Sequence, residues 1–190
     1  MTAQPRPLAD RKPAAPAAGA EISAAPIRAT VNFEAFHARE LRSVIGLAYA
    51  LSGSRSAAED LAQEAFLAAH KSWGRVGRYD KPEAWVRRVV ANLSVSRFRR
   101  SVREARAMAR LKPQSSYLPA LPAEDEAFWS EVRALPKRQA QAIALHYLED
   151  RSVADIAEIL ECAEGTVKVH LFKGRARLSE RLGLDSGDPQ

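Results

Sequence analysis

Three prolines, Pro113, Pro119 and Pro122, with Gln114, Ser115 and Ser116 among them, interrupt every helix that could be drawn from about Lys112 to Glu124. This break constrains the fold more than any other feature. It leaves one body of about 80 residues and one of about 60, and bodies that small bury a limited core and lean on partners. A second break precedes them. Residues 1–31 carry Pro5, Pro7, Pro13, Pro16 and Pro26 among alanines with no periodic apolar stripe, and they read as a disordered arm. Between the breaks nothing alternates with a period of two over a useful length, whereas helical periodicity recurs throughout. The expected fold is therefore all-α: two small helical domains joined by a flexible linker, the C-terminal one a helix-turn-helix. The boundaries fall at 32–111 for the first domain, 112–123 for the linker, 124–184 for the second domain and 185–190 for a tail.

Helices are expected at 32–51, 56–73 and 82–110, and then at 124–134, 136–149, 153–160 and 164–182. Ser56 with Glu59 three residues on has the pattern of a capping box, Pro82 and Pro136 suit helix starts, and Ser152 followed by Asp155 caps the next helix.

Several function classes drop out on composition. No stretch approaches the roughly 18 to 20 apolar residues of a membrane-spanning helix, and Arg6, Pro7 and Asp10 stand where a signal peptide has its apolar core, so a cytoplasmic protein with no membrane partner is expected. A single cysteine, Cys162, makes no internal disulfide, and histidines at 37, 70, 146 and 170 have no metal-ligand spacing. Cys162 reads as a small packing residue in a turn, with a redox role as the alternative. No catalytic constellation, metal cluster or Gly-rich phosphate loop is present, so neither an enzyme nor a cofactor is expected.

The net charge of +6 says little until it is divided along the chain. Residues 1–31 contribute +2, 32–73 contribute −1, 74–112 contribute +9 (twelve basic, three acidic), 113–163 contribute −5 (four basic, nine acidic) and 164–190 contribute +1. Concentrated Lys and Arg displace counterions condensed on nucleic acid and so favour a phosphate-rich partner. The alternative on charge alone is a solvated helical surface.

The segment from Ser152 to Arg177 is a short helix, a three-residue turn (Glu161, Cys162, Ala163) and a longer basic helix, the layout whose second helix enters the DNA major groove. Placed at 100° intervals, Val167, Leu171, Gly174, Leu178 and Leu182 gather on one face for packing. Lys168, Val169, Phe172 and Lys173 spread over the other side, with Thr166 at its edge. Val169 and Phe172 suit thymine methyl groups, Lys168 and Lys173 suit guanine acceptors or phosphates, and Thr166 with the free N–H groups of the helix start suits a phosphate. Arg175, Arg177 and Arg181 read as clamps on the DNA backbone. The competing reading of Phe172 packs it on a neighbouring helix or protein. A helix-turn-helix alone does not separate repressors, response regulators and polymerase subunits.

The run Leu135, Pro136, Lys137, Arg138, Gln139, then Ala154 to Ala157, then Gly165 to Lys168 resembles the promoter −35 module of bacterial sigma factors. Ala58 to Phe66, Trp73 and Ala84 to Leu93 resemble their −10 module. Together they cover about 150 residues in the expected order, and the chain is identified as a member of the extracytoplasmic-function type of the sigma-70 family, most like the SigE-like actinobacterial group. The resemblance implies binding to core RNA polymerase, through the β′ clamp helices and the β flap, and recognition of promoter DNA both as −35 duplex and as melted, single-stranded −10 DNA. It also brings in an anti-sigma factor as a partner that such proteins often have. Two rivals stand beside it: a stand-alone helix-turn-helix regulator and a helical protein-interaction adaptor.

The residues of the first domain fit these roles. On 56–73, Leu61, Ala65, Ala68 and Ser72 form an inner stripe, leaving Asp60, Gln63, Glu64 and Leu67 outside, and by resemblance these four dock on the clamp helices. The loop from Trp73 to Lys81 has two glycines, cations and aromatic edges, chemistry suited to single-stranded DNA. By resemblance it captures a flipped −10 base, with Arg75, Arg78 and Tyr79 as its contacts and Tyr79 the first choice for stacking. Trp73 and Trp85 read as core. With Trp85, Val89 and Ser96 inward, Arg87, Arg88, Ala91 and Asn92 are expected on the surface of 82–110. Asn92 presents donor and acceptor to a base edge and the arginines track phosphate, Arg99 among the later ones. Two positions depart from the family's pattern: an acidic residue is often found near Ser96, and a Ser or similar cap where Ala163 stands. Ala at an N-cap costs about 0.5–2 kcal/mol, so the start of the basic helix is expected to be loosely held until DNA binds.

Overall fold

A computed structural model describes residues 32–105 and 123–183, without the side chains of 95–105 and 123–125. The described residues form eight helices: α1 (Phe33–Ser52), α2 (Arg55–Lys71), α3 (Trp73–Val76), α4 (Pro82–Ala105), α5 (Ala123–Arg133), α6 (Lys137–Tyr147), α7 (Val153–Leu160) and α8 (Glu164–Leu182). Among the described residues there is no strand. The linker expected at 112–123 lies almost wholly outside them, as do the arm, the tail and residues 106–110 of the long basic helix.

Local chemistry sets most boundaries. Asn32 caps α1 by accepting from the Glu34 N–H at 2.9 Å, and Ser152 caps α7 by accepting from the Asp155 N–H at 3.1 Å. The cap of α2 is Ser54, which accepts from Ala57, two residues before the expected Ser56. α7 ends on Glu161 in the left-handed conformation at φ 53°, where the turn closes with the Cys162 N–H on the Ala157 carbonyl at 3.0 Å. α8 begins at Ala163, which supplies no side-chain cap. α3 was not expected, since four residues are too few for a periodic signal.

The first body packs α1, α2 and α4 around Phe36, Val44, Leu47, Leu61, Val86 and Val90, all fully buried. The inner face of α2 is Ala58, Leu61, Ala62, Ala65, Phe66 and Ala69 rather than a stripe reaching Ala68 and Ser72, which are half-buried. In the second body α6 lies under α8, and buries Ile143 and Leu145, while Ile156 and Ile159 of α7 and Val167, Leu171 and Leu178 of α8 close over it. Gly174 is what lets α8 approach. A Cβ there would stand 3.0 Å from Ile143 Cγ1.

The two bodies share one contiguous core. α5 and α6 rest on α1, α7 rests on α4, and the Gln141 amide donates to the Ala91 carbonyl at 2.7 Å in a buried bond across the junction. This changes the expected exposure of α4: Ala91 and Arg87 are buried at 1 % exposure each. A helix packed from two sides hides more of its circumference than a single inner stripe provides for.

Candidate nucleic-acid interface

α8 presents the face that its spacing predicts. Val167, Leu171, Gly174 and Leu178 are buried, while Thr166, Lys168 and Lys173 are exposed, Val169 is 47 % exposed and Phe172 is 71 % exposed. Large apolar side chains that exposed, set between two lysines on a well-packed helix, present themselves to a partner rather than to the core. Phe172 does not pack on a neighbouring helix. Burial above all, with the nearby Arg138 of α6 and Lys173, holds the His170 imidazole below its ordinary pKa. Arg177 is exposed but donates to Gln139 Oε1 at 2.7 Å, and Arg181 pairs with Glu131 at 3.1 Å, so both lean along the domain.

The loop before α4 is built on an aromatic nest. Trp73 meets Phe33 edge-on at 5.1 Å between ring centroids and Phe36 at 4.8 Å, and Val76 is fully buried, which confirms Trp73 as a packing residue. Gly77 then passes over the indole so closely that a Cβ would lie 3.0 Å from both the Trp73 ring and its carbonyl oxygen. The chain turns there, and Arg75, Arg78 and Tyr79 emerge on the surface, Tyr79 with 41 % of its area exposed. A cleft of about 410 Å³ opens beside it, lined by Arg78, Tyr79, Asp80, Lys81, Trp85 and Arg88 of the first body and by Glu158 of the second.

Of the residues expected to read −10 DNA, the structure brings Arg78, Tyr79 and Arg88 to one cleft, with Arg75 exposed on α3 and Asn92 exposed one turn further along α4. Arg87 is the correction. Its side chain is 1 % exposed, donating through Nη1 to Glu40 at 2.9 Å, through Nη2 to Ser43 Oγ at 2.8 Å and through Nε to Glu149 of the second body. It is a structural cation rather than a surface one. The Arg99 side chain lies outside those described.

Sequence reasoning missed the charges that meet these cations. Lys81 pairs with Asp155 and lies 3.5 Å from Glu158, and Arg88 pairs with Glu161 at 2.8 Å and donates to the Glu158 carbonyl. Asp155 is held below the usual carboxylate range by its hydrogen bonds from Lys81 and Ser152, and Lys81 is pushed up in return. Burial acts to raise the Glu40 carboxyl, yet the hydrogen bonds from Arg39 and Arg87 prevail and hold it low. The signal was present in the alternation of a +9 block with a −5 block.

On α2, Asp60, Gln63, Glu64 and Leu67 are all exposed, Leu67 at 52 %, and form one outward acidic face around an apolar centre. Among the described residues no cluster of His, Cys, Asp or Glu could hold a metal, and no helix is long and apolar enough to cross a membrane.

The sequence families described as Sigma-70 region 2 and Sigma-70 region 4 match residues 36–104 and 125–178. SigM of Mycobacterium tuberculosis, an extracytoplasmic-function RNA polymerase sigma factor, is 32 % identical over 82 % of this chain and 80 % of its own length. SigE of Mycolicibacterium smegmatis, of the same type, is 30 % identical over 76 % of this chain and 59 % of its own. Among solved structures, the sigma factor RpoE of Bartonella quintana, in complex with the anti-sigma factor NepR, superposes with a TM-score of 0.61 at 27 % identity, covering 80 % of this chain and 98 % of that one. A stand-alone helix-turn-helix regulator would account for the second body only, whereas both bodies match here, in order. The chain therefore belongs to the extracytoplasmic-function sigma factors of the sigma-70 family, and directs promoter-specific initiation of transcription.

Proposed function

We propose that α8 reads the −35 duplex and that the loop at 73–81, with the exposed side of α4, takes the melted −10 strand. The observation that carries this assignment is the outward pair Val169 and Phe172, at 47 % and 71 % exposure, flanked by Lys168 and Lys173 on a helix whose opposite face is fully packed. Thymine methyls suit the apolar pair, base acceptors and phosphates suit the lysines, and Thr166 with the first-turn N–H groups suits a phosphate. Arg177 acts as a backbone clamp. At −10, Tyr79 stacks on an unpaired base, Arg75, Arg78 and Arg88 hold its phosphates, and Asn92 meets a base edge. Arg87 is left out of this set, because its guanidinium is already committed to two carboxylates and a hydroxyl.

The face of Asp60, Gln63, Glu64 and Leu67 docks on the β′ clamp helices, and the second body meets the β flap. The chain supplies no chemistry of its own, and it acts in the cytoplasm, where polymerase fixes the spacing of two weak DNA contacts. RpoE was captured with the anti-sigma factor NepR, and a protein of that kind is proposed as a regulator here. Run-off transcription with core polymerase tests the assignment. Lys173→Ala should weaken −35-dependent initiation with core binding intact, and Asp60→Lys should weaken core binding with DNA contacts intact. The reverse pattern would exchange the two roles.

A further inference from the structure

Beside the outward face of α8 stand two further groups, His170 of α8 itself and Arg138 in the first turn of α6. The start of α6 runs along this flank. A Cβ at Gly174 would stand 3.6 Å from Gln139 Cβ, and Arg177 donates to Gln139 Oε1 at 2.7 Å. His170 lies one turn before Gly174. By helical phase it falls between the buried row of Val167 and Gly174 and the exposed side of Thr166 and Lys173, and it is accordingly half-buried.

The charges around the ring are of one sign. Arg138 and Lys173 are exposed, both act on the imidazole, and Arg177 adds a cation two turns further along the same flank. Arg138 reaches Gln141 Oε1 only at a long 3.4 Å, a bond that a phosphate can outbid. The carboxylates of the other helices packed on α8 are engaged elsewhere: Glu131 of α5 takes Arg181 near the end of α8, and Asp155 and Glu158 of α7 take Lys81. Burial and the two cations therefore favour the neutral imidazole while α8 is free. A DNA phosphate reverses the preference. Its charge offsets that of Arg138 and Lys173, and the imidazolium brings it a charge where the neutral ring brings a single N–H donor.

We propose that Arg138, His170 and Lys173 form one phosphate seat on the −35 duplex, spanning α6 and α8, and that His170 takes up a proton as the phosphate enters. Engagement of the −35 element is then coupled to pH. Affinity rises as the pH falls from slightly alkaline to mildly acidic, and levels off where the imidazole of the free chain is already protonated. An arginine at this place would grip the phosphate at any pH, whereas histidine makes the grip conditional. The seat rests on the assignment of α8 to the −35 duplex.

Holoenzyme made with the full-length chain tests it, on one promoter with its −35 element and one without, from about pH 8 to about pH 6. The ratio of the two affinities isolates the −35 contact from changes elsewhere in the polymerase. For the native chain this ratio should rise roughly tenfold across the range, the size of one pKa unit. His170→Gln should hold the ratio low and flat, and His170→Arg should hold it high and flat. A native ratio well above one that does not change with pH, or a His170→Gln variant that follows the native rise, overturns the seat and leaves the −35 assignment standing. A native ratio near one at every pH removes that assignment, and the seat with it. The imidazole resonance of His170, identified by its loss in His170→Gln, gives a second reading on the native chain. Saturating −35 duplex should move its titration upward by about one pH unit, and a titration unmoved by the duplex overturns the seat as well.

Discussion

The helix α8 and the edge formed by the 73–81 loop with α4 are both cationic, aromatic-bearing surfaces directed at DNA, yet they meet solvent differently. On α8 the apolar readers stand clear, and Lys168 and Lys173 face outward. On the other edge Lys81 and Arg88 are occupied by carboxylates of the opposite body, and Arg87 is buried outright. The difference shows that a basic residue near a recognition surface has three possible fates: reader, competitor's partner or structural anchor. Charge and helical phase alone do not separate them. What separates them is a second body laid against the helix, which turns one more face inward and brings acidic groups with it.

The comparison can be broken most forcefully at the anchor. Arg87→Ala leaves Glu40 and Glu149 without their shared buried cation and should cost about 3–5 kcal/mol of stability, whereas the neighbouring Arg88→Ala should cost at most about 1 kcal/mol. Urea unfolding of the two variants measures the contrast. Equal losses would mean that Arg87 is no more structural than its neighbour.

On α8 the prediction is the opposite. Phe172→Ala should leave stability within about 0.5 kcal/mol, since the ring is 71 % exposed, while weakening a promoter carrying its −35 element by about 1–3 kcal/mol, or roughly 5- to 150-fold. Holoenzyme binding to promoters with and without that element reads the effect. A smaller change sharpens the same helix: Ala163→Ser supplies the missing N-cap and should add about 1 kcal/mol to stability, seen as a raised melting temperature. An unchanged melting temperature would show that the start of α8 is already firmly held.

The smallest effect concerns pH. Asp155 at the junction and Glu40 within the first body both sit below the usual carboxylate range, so their contributions are complete above about pH 5 and are lost as the pH falls through their lowered values. The raised Lys81 acts at the other end: its share persists below the ordinary lysine value and is lost only at higher, strongly alkaline pH. The junction should therefore be steady across neutral pH and loosen under acid, as scattering across a pH series would record.

Much of this architecture is legible in the sequence because it depends on local rules. The inner stripe Val167, Leu171, Gly174, Leu178 follows from helical phase, and Ser152 with Asp155 marks the start of α7. The acidic face of α2 follows from the same phase, and so does the outward pair on α8. The cap of α2 falls two residues before the expected one because Ser54 and Ser56 offer the same hydroxyl, and only the backbone chooses between them. Arg87 and Ala91 were misplaced for a different reason. Their burial comes from partners distant in sequence, Gln141 of α6 over Ala91 and, around Arg87, Glu40 and Ser43 of α1 with Glu149 just past α6, and no periodicity within 82–105 carries that information. The alternating charge blocks did carry a trace of it, since the acidic 113–163 segment supplies the carboxylates that meet the basic 74–112 segment.

The most direct measurement is the distance between the two bodies, free and at work. Spin labels at Ala38→Cys on α1 and Ser130→Cys on α5, both exposed positions, in a Cys162→Ser background, report it by pulsed electron resonance. The free chain should give one narrow, short distance, and the chain bound to core polymerase and promoter DNA should give a distinctly longer one. A broad distribution in the free chain, or the same short distance in the promoter complex, would contradict the account.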